Sequence, residues 1–338
     1  MGADALSDVL RTVRLTGAVY FDYHLTSPWS AGAPAARVVA PLVMPEADHV
    51  IEFHVIAKGT CWGGLVGEAP LRLEAGDIIV FPQGDAHVLS SAPGMHAELD
   101  WTQYQRPEGV HRLFVQEKGG GGKDRVQLIC GFLGCDLRPF NPLFAGLPRM
   151  IHLSSRAGPE PGWLDHFITA VIEESARKRP GGENVLARLA ELMFVEVVRR
   201  YLETMSPDHT GWLAGLRDRA IGRAMAAMHA RPTHAWSLDE LAKEASLSRS
   251  ALAERFTQVV GVPPMQYLAQ WRIQLAASLI SGGTLSIGAV ATQVGYESEA
   301  AFNRAFKRLV GLTPGAWRKT RSLPSGAPLQ AETGDVVA

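Results

Sequence analysis

The side chains with the widest chemical reach fall into two groups. In the first half of this 338-residue chain stand His54, Cys61, His87 and His96, with Cys130 and Cys135 further on. Imidazoles and a thiol could together hold a divalent ion, and a thiolate at Cys61 could react with oxidants or electrophiles. The opposing possibility is that the histidines line a polar interior and Cys61 is a small buried hydrophobe, since no activating base is visible in the sequence. The second group is basic. Residues 217–321 carry 14 Lys and Arg against 7 Asp and Glu, a net of +7, although the whole chain sums to −1. A basic C-terminal third on an acidic body directs a polyanion, nucleic acid first, to that third alone.

The basic third contains a repeat. SLSRSALAERFTQVVGVPP (246–264) returns in looser form as GYESEAAFNRAFKRLVGLTP (295–314), with Ser248 on Ser298, Leu252 on Phe302, Phe256 on Phe306, Gly261 on Gly311 and Pro264 on Pro314. A period of about fifty residues marks a duplicated supersecondary unit. Ser237 and Glu240 form an S-x-x-E pair that opens a helix, and Ser248 caps a second one after a short turn. Leu238, Leu241, Ala245, Leu252 and Phe256 supply their shared core, and Ser298 opens the matching helix of the second copy. Two short helices about a tight turn are a helix-turn-helix, whose second helix enters the major groove. Between the copies, Leu268, Trp271, Leu275 and Leu279 lie at helical spacing behind Pro264, which predicts a rod of about 25 Å at ~1.5 Å per residue.

The elements upstream are of another kind. VVAPLVM, VIEFHVI, DIIVF, MHAELDW, HRLFVQE and RVQLICGFL, between 37 and 136, are short β-rich runs broken by Gly and Pro, which predicts an antiparallel sandwich or barrel. KGGGGKD (118–124) reads as a flexible loop. From 163 to 205 the apolar spacing becomes helical and predicts a helix pair that packs on its own domain or forms a dimer seam. The resulting expectation is an α+β multidomain chain. It has a barrel over about 1–160, the helix pair over 163–205, a linker at 206–216, an all-α domain at 217–321 and a disordered tail at 322–338. Few cysteines, no run of 18 apolar residues and no signal-like start predict a soluble, cytoplasmic protein.

Residues 217–321 resemble the DNA-binding domain of the AraC/XylS transcription regulators, and GYESEAAFNRAFKRLVGLTPGAWRK is similar to that family's C-terminal signature. The resemblance implies that both copies enter adjacent major grooves of double-stranded promoter DNA. By position it assigns Arg249, Ser250, Ala253 and Glu254 to the first reading surface and Glu299, Ala300, Asn303 and Arg304 to the second. Arg304 would take guanine, Asn303 adenine and Glu254 cytosine, with Arg255, Lys307, Arg308, Arg318 and Lys319 toward phosphates. The first surface is small and partly acidic where relatives carry long polar chains. The resemblance also implies RNA polymerase as a partner, and activation.

GDIIVFPQGDAH (76–87) resembles the second cupin motif, so the first 160 or so residues resemble the cupin-like sensor domains joined to such regulators. Metal-binding cupins supply a His-x-His pair and a Glu. Here His54 is kept and Ile56 stands where the second His would be, so a divalent metal would depend on His54 and His87 with Cys61 or His96. The expectation is a non-enzymatic regulator responding to an unknown small molecule, with a homodimer as a candidate assembly; the alternative is a metal-dependent cupin enzyme or a redox or metal sensor fused to the DNA-binding module.

Overall fold

The computed structural model describes residues 4–322, apart from 14, 100–103, 105–113, 137–138, 140, 155–162, 178 and 207. Two sheets form the N-terminal body. The larger has the order β10-β6-β3-β9-β1-β8, from β10 (Ile151–Ser154), β6 (Asp77–Phe81), β3 (His49–Lys58), β9 (Arg125–Cys135), β1 (Thr16–Thr26) and β8 (Phe114–Gly119). The smaller has the order β2-β7-β4-β5, from β2 (Ser30–Ala33), β7 (His87–Ser90), β4 (Thr60–Leu65) and β5 (Leu71–Glu74). Strand pairing is antiparallel except between β1 and β8, which run parallel.

Strand β3 shows how the layers are ordered. Side chains alternate faces along a strand. Val50 and Ile56 therefore join the barrel core with Leu65, Leu73 and Leu89 of the smaller sheet, and Glu52 and His54 share their parity. Ile51, Phe53 and Val55 point the other way, onto a core shared with α3 (Pro142–Gly146), α4 (Trp163–Arg177) and α5 (Gly182–Thr204). Both faces of β3 are thus covered, which explains its nearly continuous apolar sequence.

Several local expectations differ from the structure. VVAPLVM is not a strand; Ala36–Val43 form helix α2, because Ala36, Val39 and Val43 recur at helical spacing and fall on its buried side. MHAELDW contributes only an isolated bridge from Leu99 to Gly32, its last two residues lying outside the described residues. HRLFVQE yields β8 from Phe114 onward, and its first three residues also lie outside. The glycine run is tied down: Gly120 and Gly122 donate to the carbonyls of Thr26 and Ser27, at 3.0 and 2.7 Å. The 206–216 stretch is only partly a connector, since Trp212–Arg217 form helix α6 with Trp212 and Leu213 buried. Of the expected tail, Ser322 closes a helix that begins at Pro314, and 323–338 lie outside the described residues.

Helices α7 to α13 follow α6 among the described residues. The first head is α8 (Leu238–Ala245) and α9 (Arg249–Val260), with the Ser237–Glu240 capping box formed. The second is α11 (Ile287–Gln293) and α12 (Glu299–Val310). Helix α7 (Arg219–Ala230) precedes the first head, α10 (Pro264–Gly282) joins the two, and α13 (Pro314–Ser322) ends the domain. Ser248 and Ser298 accept from Ala251 N–H and Ala301 N–H, and each second helix ends at a left-handed glycine, Gly261 or Gly311. The first head packs into a core continuous with the outer face of the barrel, from Ile51 and Phe53 through Phe194 to Met225, Leu252 and Trp271. The second has a separate core of Ile273, Ala277, Ile280, Val290, Phe302, Phe306 and Trp317.

The N-terminal helix α1 (Ala5–Val13) bridges the two domains by packing on α7 and α10. Beneath it runs a buried polar chain. Trp212 Nε1 donates to Tyr267 Oη at 2.8 Å, Tyr267 Oη lies 2.6 Å from His229 Nε2, and His229 Nδ1 faces Asp8 at 3.6 Å. His229 also stacks on Trp271 with centroids 3.9 Å apart. Burial holds His229 below the ordinary imidazole range against the pull of Asp8, and does the same to His49, His54 and His87.

Because those imidazoles are neutral when folded, the unfolded chain takes up protons below about pH 6.5 that the folded chain refuses. Four such imidazoles outweigh buried Glu52, whose raised carboxyl acts the other way, so stability is expected to fall as pH goes from 7 to 5, read as a lower Tm by calorimetry; a flat or rising Tm would contradict the burial. A second expectation concerns the turns. The equivalent turn residues Ser246 (φ 54°) and Gly295 (φ 87°) are both left-handed, and Ser246 is the only such non-glycine residue among those described. Ser246→Gly is expected to stabilise by up to about 1 kcal/mol. Gly295→Ala should destabilise by more than about 1 kcal/mol, because its Cβ would sit 2.8 Å from Thr233 Cα. Urea midpoints in opposite directions check the pair.

Candidate nucleic-acid interface and barrel cavity

On the first head, Arg249, Ser250, Glu254 and Arg255 are exposed at α9, and Ala253 is half-buried. On the second, Glu299, Ala300, Arg304, Lys307 and Arg308 are exposed at α12, and Asn303 is half-buried. Leu252 and Phe256, like Phe302 and Phe306, are buried on the opposite side of their helices. Packing thus turns the remaining faces outward.

The two faces differ electrostatically. Arg249 lies 3.6 Å from Asp239, and Arg255 donates to Asp218 at 2.8 Å. Asp218 is the cap of α7, accepting from Ala220 and Ile221 N–H, and these bonds with Arg255 hold its carboxyl below the usual range despite burial. Arg255, expected at a phosphate, is therefore engaged within its own domain. Arg318 donates to Leu285 O at 2.5 Å and helps close the base of the second head. Arg304, Lys307 and Arg308 have no ion-pair partner among the described residues.

The barrel encloses a cavity of about 280 Å³. Phe21, Tyr104 and Phe132 form its aromatic wall, edge to face with centroids 5.5 to 6.0 Å apart. Tyr23, Trp29 and Leu89 extend it, while His54, His87, Cys130 and Lys118 supply polar points. Sequence reasoning missed the aromatic residues, although Phe21, Tyr23 and Leu25 alternate on β1, as Leu128, Cys130 and Phe132 do on β9.

The structure joins two of the four metal candidates. His54 Nε2 lies 2.7 Å from His87 Nε2. His87 Nδ1 is 2.9 Å from Asp85 O, a contact only an N–H can satisfy, so His87 Nε2 accepts and His54 Nε2 donates. Glu52 Oε2 stands 3.8 Å from His87 Nε2, and burial pushes its carboxyl well above the usual range, toward the neutral acid. In this arrangement the two imidazoles bond to each other beside Glu52, and Ile56 stands where metal-binding cupins supply a further His. Among the described residues no group of three or more His, Cys, Asp or Glu side chains is placed to hold a metal ion. Cys61 is buried in the barrel core, where desolvation and then Asp77 push its thiol up to about 12. His96 is exposed and does not line the cavity. Nothing among the described residues of the site favours a cupin enzyme.

A cupin family model matches residues 4–203, and a helix-turn-helix domain model matches 241–320. An AraC-like transcription regulator of Streptomyces lividans is 32% identical over 95% of this chain and 100% of its own length. A second, of Streptomyces antibioticus, is 31% identical over 94% and 98%. The HTH-type transcriptional regulator AlkR of Acinetobacter baylyi is 30% identical over 94% and 99%. Such identity runs through both the barrel and the paired heads, and the chain therefore belongs to the AraC-type family of DNA-binding transcription regulators rather than to the cupin enzymes.

Proposed function

We propose that this regulator reads promoter DNA chiefly with its second head, while the barrel cavity receives a small effector that alters binding or activation. The observation that carries the first part is the contrast between the faces. Arg249 and Arg255 are drawn to Asp239 and Asp218, whereas Arg304, Lys307 and Arg308, beside Asn303, have no ion-pair partner among the described residues. Arg304 reaches guanine O6 and N7 and Asn303 an adenine edge, while Lys307 and Arg308 hold phosphates. Arg249, Ser250, Ala253 and Glu254 of the first head then contribute mainly register.

The effector reading is supported by an aromatic-walled cavity with a few polar points, the usual make-up of a small-molecule site. Since a cavity of ~150 Å³ holds benzene, about 280 Å³ admits a largely apolar molecule of roughly ten non-hydrogen atoms. Family membership supports activation, contact with RNA polymerase and a cytoplasmic setting. Pairing of two copies is supported by Val185 and Leu192, which stand exposed on α5. No helix among the described residues is long and apolar enough to cross a membrane.

Arg304→Ala is expected to cost about 1 to 3 kcal/mol on the preferred site and little on random DNA. Lys307→Ala and Arg308→Ala should weaken both DNAs alike and each lower the slope of log affinity against log salt by about 1. Fluorescence anisotropy titrations from low to physiological salt separate the two behaviours. Equal losses on both DNAs for Arg304→Ala would contradict base reading by the second head.

A further inference from the structure

One guanidinium touches both heads. Arg272, half-buried on α10, donates through Nε to Pro232 O at 2.7 Å and through Nη2 to His234 O at 2.8 Å. Those carbonyls belong to the 231–235 loop that launches α8 from its Ser237 cap. The other side of the same group faces the second head: Arg272 Cζ lies 5.9 Å from the centroid of Tyr296. Tyr296 follows the left-handed Gly295 in the turn between α11 and α12, and its ring packs edge-on against Phe302, 5.4 Å away in the second core. At Gly295 the backbone comes so near the first head that a Cβ would sit 2.8 Å from Thr233 Cα and 3.0 Å from both Pro232 O and Arg272 Nη2.

We infer that Arg272 is a positioning residue that sets the rotational phase between the two reading helices, by pinning the launch loop of the first head and the turn of the second to one point on α10. The cores alone leave this angle less determined, since each head packs chiefly on its own stretch of α10, and this junction ties one head to the other. A planar fork is suited to such a junction, because two divergent N–H groups reach two carbonyls while the face lies toward a ring, which a lysine ammonium cannot reproduce. This role rests on the proposal that both heads engage one DNA site.

The experiment uses the full-length protein and three duplexes that keep both half-sites but change the spacer by −1, 0 or +1 base pair. A fourth duplex carries the second half-site alone. One base pair turns the second half-site by about 35° and moves it ~3.4 Å, so wild type should prefer one spacing by at least about tenfold. Arg272→Met and Arg272→Lys are expected to bind the single half-site as wild type does. At the preferred spacing they should lose several-fold, and the preference should shrink to within about threefold. An unchanged spacing preference, an equal loss at all three spacings, or weakened binding to the single half-site would overturn the inference, the last because it marks a damaged head. If wild type itself shows no preferred spacing, two-headed engagement has failed as well.

Discussion

The arrangement depends on α10 having two apolar faces in succession. Tyr267, Leu268 and Trp271 are buried toward the first head, and Ile273, Ala276, Ala277 and Ile280 toward the second. A 19-residue helix spans about 28 Å, of the same order as one turn of B-form DNA. Because the interior of each head is close-packed, rotating one about the rod would open voids on one side and overlap on the other. Apolar residues that never meet DNA therefore fix the reading faces coarsely, and the junction at Arg272 settles the remaining angle.

Much of that arrangement is legible in the sequence. The serine caps and glycine stops act locally, so Ser237, Ser248, Ser298, Gly261 and Gly311 can be placed from spacing alone. The barrel is harder. ARVVAPLV contains a β-branched pair that reads as strand, yet its burial follows the helical spacing of Ala36, Val39 and Val43. The engagement of Arg255 with Asp218 and of Arg272 with Pro232 and His234 joins residues 37 to 40 positions apart, and no local pattern announces it. Ser246 is legible as a turn residue but not as left-handed, because serine carries no such signal where Gly295 does.

The interior of the barrel follows a different rule. Glu52, His54, His87 and Cys130 are all buried, and desolvation drives each toward its uncharged form. What remains is a cleft with aromatic walls, around which Trp29 Nε1, Glu52 Oε1 and His54 Nδ1 are buried without a hydrogen-bond partner among the described residues. Ile56 fits this state, since it stands where a second imidazole would be and adds apolar surface to the core.

The continuity of the first core with the barrel, against the separateness of the second, divides labour between two otherwise similar units. From Phe194 packed neighbours run all the way to Leu252, whereas Phe302 lies in a second core that meets the first through Leu275 and the junction at Arg272. The head nearest the body thus shares its interior with the barrel. Its distal twin is joined to that body through the rod and one guanidinium.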